Sequence, residues 1–380
     1  MKAPNFFEFF SQAKIISGKK GMENIPLEFA GMGVHRPMIV TSRSVVDSGL
    51  LQKLIKAFYE STLTIGAVFD GATSTVSASL IEKGAALFRW KECDSIIALG
   101  SGSIMDLARG INMAVTEKAS LASLAGEDRV AGNLRPFAAV VTASLSGYEA
   151  GNKALIDNRV YKSDFLFPDI ICIDNRMMLK QAPGDAVNSA MAALTHAIEA
   201  CQEPVNNPMT DAYALAAIRY ISDHLPVVVK KPRNNKALMA LANASVAANI
   251  AYANAPAGIV HNLARALALE TGHNEGMLMG LLLSASLEYK LAKKENIRQD
   301  LLMALIGFDE SCRVSDADKA EKSIQKIRAL QKACAKAMPR GLKELNIPAY
   351  RMEKAAGDAA ITAGGKVKAQ DCMAIMNKAL

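Results

Sequence analysis

The chain has 380 residues, of which 51% are hydrophobic, 21% charged and 6% aromatic. Forty-four Lys and Arg against 37 Asp and Glu leave a net charge of +7, a mild basic bias that no segment concentrates. These figures exclude a disordered chain and give no nucleic-acid footprint, while the length suits two domains of roughly 150–200 residues each. The six cysteines (Cys93, Cys172, Cys201, Cys312, Cys334 and Cys372) form no CxxC and no framework spacing. With no secretory leader read in the sequence, a reduced, cytoplasmic location is expected. The charge-free stretch 237–260 carries Asn243, Asn249 and Asn254 and is broken by Pro256. It therefore reads as one buried helix and the start of another, not as a membrane span.

The first half of the chain alternates. Residues 37–41 read as a buried strand, 45–58 as an amphipathic helix, 63–69 as a strand, 77–88 as a helix and 94–99 as a third strand. That strand runs into Gly100-Ser101-Gly102-Ser103 and a helix to about residue 114. Strands followed by helices at this spacing predict parallel βαβ units covered on both faces. Shorter apolar runs follow at 137–141, 154–156 and 169–173. After Pro183 the texture changes to helical period, at 187–201, 211–224, 237–253, 259–270, 277–291, 317–337 and 351–360. The fold class expected is an α/β dinucleotide-binding domain over 1–181 followed by an all-helical domain over 182–380.

The turn Gly100-Ser101-Gly102-Ser103 leaves a strand and opens a helix. Glycines there let backbone approach a phosphate, and the dipole of the helix start attracts its charge. Asp106, in the first turn of that helix, either answers the dipole or belongs to the same site. The loop from Thr142 to Gly147, which includes Ser146, is a second small, hydroxyl-rich turn after a strand; two such loops can close over one dinucleotide. Of five histidines, His196 sits in the apolar helix NSAMAALTHAIEAC and His261 opens the helix IVHNLARALALE. Buried neutral imidazoles are either satisfied core groups or ligands for a divalent metal.

At these segments the chain resembles the iron-containing, group III alcohol dehydrogenases of the dehydroquinate-synthase-like superfamily. DSIIALGSGSIMDLARGI is similar to the family's DxIIAxGGGSxxDxAKxI, with Ser101 for a glycine and Arg109 for a lysine. TASLSGYEA is similar to TTAGTGSEV, AMAALTHAIEAC to GMDALTHAIEAY, and GIVHNLARALALETGHNEGMLMGLLL to GMVHxMAHxLGxxYxxPHGxANAILL. PDIICIDNRMMLKQAP resembles the segment ending the first domain, where Leu179 joins the cofactor-binding residues. The resemblance implies a dinucleotide-binding α/β domain, a helical domain and a site in the cleft between them.

The family binds its metal through one Asp and three His. His196 and His261 match two of them, Ala192 stands at the Asp, and Glu275 stands at the third His, with His273 two residues out of register. Arg265 replaces a histidine of the substrate pocket. His196, His261 and Glu275 are therefore the expected metal-ligating set, for iron or zinc; Arg265 is either the catalytic, substrate-orienting cation or one side of a salt bridge, for instance to Glu275. Ser42, where NAD-preferring relatives carry an acid, permits NADP and mildly favours it over NAD; Arg43 beside it either meets a 2′-phosphate or points to solvent. Lys162 falls where relatives have a cofactor-proximal lysine. The function implied is NAD(P)-dependent hydride transfer between nicotinamide and a small alcohol, aldehyde or ketone, with an anionic one as an option. The alternative is a catalytically silent relative that binds a dinucleotide or serves as a scaffold without metal. A small-molecule substrate and a homo-oligomer, dimer or larger, are the expected partners, with no nucleic acid or membrane.

Overall fold

The computed structural model describes residues 5–142, 149–178, 183–202, 207–364 and 367–380. The chain divides into two compact units, residues 10–181 and residues 1–9 together with 182–380.

The first unit runs β1 (Lys14–Gly18), α1 (Asn24–Gly31), β2 (Pro37–Val40), α2 (Arg43–Asp47), α3 (Leu50–Ala57), β3 (Ala67–Phe69), α4 (Ala78–Trp90), β4 (Ser95–Gly100), α5 (Ser103–Thr116), β5 (Gly126–Glu127), β6 (Phe137–Val141), β7 (Lys153–Ile156), β8 (Arg159–Lys162) and β9 (Ile170–Asp174). Six strands form one sheet in the order β1-β9-β6-β4-β2-β3, and every pair in it is parallel. Strands β2, β4, β6 and β9 are buried at every residue, as a parallel sheet covered on both faces requires. Strands β5, β8 and β7 make a separate three-stranded sheet. Helices α4 and α5 approach closely because each offers a glycine to the other. A Cβ on Gly84 would lie 2.3 Å from Ile111 Cδ1, and one on Gly110 would lie 2.4 Å from Ile81 Cδ1.

The second unit is helical: α6 (Pro183–Gln202), α7 (Pro208–Lys230), α8 (Asn235–Ala253), α9 (Ile259–Thr271), α10 (Glu275–Ala292), α11 (Asp300–Ile306), α12 (Phe308–Ser311), α13 (Lys319–Ala333), α14 (Ala349–Thr362) and α15 (Ala369–Lys378). Phe9 stacks on Tyr213 at 5.7 Å, within this unit. No helix among the described residues is long and apolar enough to cross a membrane.

The α/β and helical expectation holds, with corrections. The single helix expected over 45–58 is two, because Gly49 takes a left-handed φ of 78° between α2 and α3. The strand expected from residue 63 begins only at Ala67. Helix α7 continues past Pro226 to Lys230, since a proline near the end of a helix removes one hydrogen bond without forcing a stop. Burial pushes the thiols of Cys93 and Cys172 up to about 11 and about 12, so neither is a thiolate at neutral pH.

Candidate active site

The sheet order reverses beside β2: β3 lies on one side of it and β4 on the other. In open parallel sheets such a reversal leaves a crevice outside the carboxyl ends of the strands, where ligands bind. Ser42 follows β2 and is the N-cap residue of α2. The Gly100–Ser103 turn follows β4, and Thr142 follows β6, whose Val141 is registered with Gly100. Thr41 Oγ1 donates to the Leu99 carbonyl at 2.8 Å, tying the ends of β2 and β4 together. The structure thus brings Ser42, Gly100, Ser101, Gly102, Ser103 and Thr142 to three neighbouring strand ends, with Asp106 in the first turn of α5. Ser146 and Leu179 lie outside the described residues.

Gly102 is the N-cap of α5, with φ 56° and ψ −124°. An L side chain is strained in this region, which is held open for glycine where backbone must approach a ligand. Gly102→Ala is expected to cost about 1–3 kcal/mol of stability. It is also expected to weaken NADH binding by roughly tenfold or more, as read by thermal melting and NADH fluorescence titration; unchanged affinity would detach this turn from the dinucleotide.

Two other residues have acidic partners of their own. Lys162 lies in the small sheet, in an ion pair with Glu127, and not on the strand ends. Arg43 is 75% exposed at its side chain and is shared by Asp47 at 3.3 Å and Asp70 at 3.2 Å. Arg109, which the sequence shows only as a substitution, is 1% exposed. Its guanidinium donates to the carbonyls of Leu166, Lys153 and Gly151 at 3.0, 3.0 and 2.7 Å.

In the helical unit, His196 on α6 and His261 on α9 are 1% and 5% exposed. His196 Nε2 and His261 Nδ1 are 3.1 Å apart in a direct hydrogen bond, with donor and acceptor set by the tautomers. Tyr252, near the end of α8, stacks on His196 with centroids 4.2 Å apart and planes 22° apart, and its ring centroid is 5.0 Å from that of His261. Glu275, the first residue of α10, places Oε1 3.9 Å from His261 Nδ1. Arg265 follows His261 by one helical turn, on the same face of α9. His273 stands in the turn before α10, its backbone N–H on Thr271 Oγ1, and its ring joins neither imidazole. Ala192, one turn before His196, is 3% exposed and brings no donor. Among the described residues, no group of three or more His, Cys, Asp or Glu is gathered to hold a metal ion.

Sequence reasoning missed two contributors to this centre. Glu199 is 7% exposed and accepts from the backbone N–H groups of Val260 and His261 at 2.6 and 3.2 Å. A carboxylate three residues after a buried histidine was the signal available. Tyr252 carried none, since an aromatic residue in a charge-free stretch reads as core.

Residues 12–175 match the iron-containing alcohol dehydrogenase family and residues 186–379 match its C-terminal domain. The chain is 26% identical over 261 residues to the NAD-dependent methanol dehydrogenase of Bacillus methanolicus, covering 67% of this chain and 68% of that one. It is 29% identical over 283 residues to the 4-hydroxybutyrate dehydrogenase of Cupriavidus necator, covering 71% and 73%. Its fold superposes on a crystal structure of 1,3-propanediol oxidoreductase with a TM-score of 0.91, at 26% identity, covering 99% of this chain and 100% of that one. NAD and a metal, typically iron, are the cofactors that go with such a match. Together, the glycine turn at the sheet reversal, the paired histidines on two helices and matches spanning both units make the chain an oxidoreductase belonging to the iron-containing alcohol dehydrogenase family.

Proposed function

We propose that the chain transfers hydride between NAD and the hydroxyl-bearing carbon of a small alcohol that also carries a negative group, and the reverse. The observation that carries the reading is the buried imidazole pair, 3.1 Å apart, with a permanent cation one turn along the same helix face. In the oxidising direction the C–H bond breaks, its electron pair and hydrogen pass to nicotinamide C4, and the hydroxyl proton passes to the imidazole pair as the carbonyl forms. We assign the substrate oxygen to the imidazole pair. Arg265 takes the anionic group, because a guanidinium binds carboxylate or sulfonate through two parallel hydrogen bonds. The similarity to a 4-hydroxybutyrate dehydrogenase supports an acid as substrate. The match of the family across both units disfavours a catalytically silent relative.

The metal that family membership implies has been reduced here to two imidazoles and one carboxylate. A closed site needs donors converging at about 2.0–2.2 Å on one point, and catalytic sites use three or more. Ala192 has no donor atom at the position of the family's Asp, and no group of three His, Cys, Asp or Glu is gathered among the described residues. As placed, these residues do not fit a divalent ion held by the chain alone, and the roles assigned above rest on the chain's own side chains. For the dinucleotide, Asp47 and Asp70 on Arg43 cancel the charge that would attract a 2′-phosphate, which supports NAD over NADP.

Steady-state kinetics with 4-hydroxybutyrate and with 1,4-butanediol, which share a four-carbon chain and differ in charge, test the assignment of Arg265. The acid is expected to have the higher kcat/KM, and Arg265→Ala is expected to lower that value by roughly 10–1000-fold, the cost of losing a charged hydrogen-bond partner. The diol should change little. A wild-type preference for the diol that Arg265→Ala leaves unchanged would contradict the proposal.

A further inference from the structure

Helix α9 begins with Gly258 at its N-cap, a residue with no side chain to satisfy the first N–H groups. Those groups are met instead by Glu199 of α6: Oε1 accepts from Val260 N–H at 2.6 Å and Oε2 from His261 N–H at 3.2 Å. A carboxylate is the group a helix start favours, through both its acceptors and its charge. Gly258 is what admits it, since a Cβ there would lie 2.1 to 2.5 Å from the carboxylate atoms. Glu199 also follows His196 by three residues, on the same face of α6. One buried carboxylate therefore joins the turn that carries one imidazole to the backbone that carries the other.

We propose that Glu199 is the positioning residue that sets the spacing of His196 and His261, an inference that rests on assigning this pair to the substrate oxygen. It touches neither substrate nor dinucleotide; it acts through the backbone of His261. Removing it frees the start of α9 to shift, and a displacement of about 1 Å at a reacting centre costs on the order of a hundredfold in rate.

The experiment measures kcat, KM for NAD and melting temperature for the full-length Glu199→Gln, Glu199→Ala and Gly258→Ala proteins with 4-hydroxybutyrate. Glu199→Gln keeps one acceptor and turns an N–H toward the other donor, so kcat is expected to fall about tenfold; Glu199→Ala should fall about a hundredfold. KM for NAD, bound by the other unit, should stay within about twofold in both. Gly258→Ala, by displacing the carboxylate, should match Glu199→Ala, and the double variant should be no worse than Glu199→Ala alone. A folded Glu199→Ala protein with wild-type kcat overturns the inference, as does a loss of kcat that only follows a fall in melting temperature. Should Glu199→Ala fail to fold, the Gln and Gly258→Ala proteins decide by the same criteria. A second readout needs no turnover. With labelled histidine, the N–H proton shared by His196 and His261 is expected as a downfield, exchange-protected NMR resonance that the Glu199 and Gly258 variants lose. Persistence of that resonance in these variants overturns the positioning role even if no alcohol is oxidised. Absence of wild-type turnover with the resonance behaving as expected overturns only the assigned reaction.

Discussion

Arg109→Met is expected to lose about 3–5 kcal/mol of stability, the cost of removing one member of a buried charged network. Against a typical total of about 5–15 kcal/mol, that is enough to put much of the protein near its unfolding threshold. The cause lies in three carbonyls, of Leu166, Lys153 and Gly151, that a single guanidinium satisfies at 2.7 to 3.0 Å. A thioether fills similar volume and donates nothing, so buried acceptors lose their donor. Burial holds the pKa of Arg109 below its ordinary value, opposed by the charges of Asp106 and Glu149; those two carboxylates lose their cation in the same step. Arg109→Lys should lose less, because an ammonium keeps the charge and reaches some of the acceptors. Thermal and denaturant unfolding check this, and a melting temperature unchanged in the Met protein would contradict it.

His261→Ala is expected to lower kcat by about two to four orders of magnitude, the range seen when a group that handles a reacting proton is removed. NADH affinity should not change, because the strand ends that carry Ser42, the Gly100 turn and Thr142 belong to the other unit. His196→Ala should behave alike, and the double variant should be no slower than either single one, since groups that act together are lost together. The two rings are in direct contact at 3.1 Å, so neither keeps its geometry without the other. Independent, multiplying effects would show that the rings serve separate purposes.

The alternation of buried strands and helices through residue 116 was legible because parallel strands bury every residue and so read as unbroken apolar runs, as in Ile96 to Leu99 and Phe137 to Val141. The edge strand β1 was not, since its exposed and half-buried residues mix and leave no such run. Helix α15 escaped for a related reason: only Cys372, Ile375 and Met376 of its ten residues are buried. Of the site, His196 and His261 stood out by their rarity and their apolar surroundings, and the turn at Gly100 by its glycines. What was hidden was partnership. Arg109 looked like a change of one cation for another until its three carbonyls were seen, and Arg43, which the sequence left open between a phosphate and solvent, is flanked by Asp47 and Asp70. Residues far apart in the chain meet only in the fold, and single-residue chemistry cannot anticipate whom a charged group will face.

The most direct test follows the hydrogen itself. The chain is incubated with NADH carrying deuterium at both positions of nicotinamide C4 and the aldehyde corresponding to 4-hydroxybutyrate. Deuterium is then sought on the carbinol carbon of the product by mass spectrometry and NMR. One deuterium per molecule of alcohol formed is expected, transferred by the wild type and suppressed in His261→Ala while NADH still binds. Alcohol without the label, or NADH bound and never oxidised across charged and neutral carbonyls alike, would contradict it.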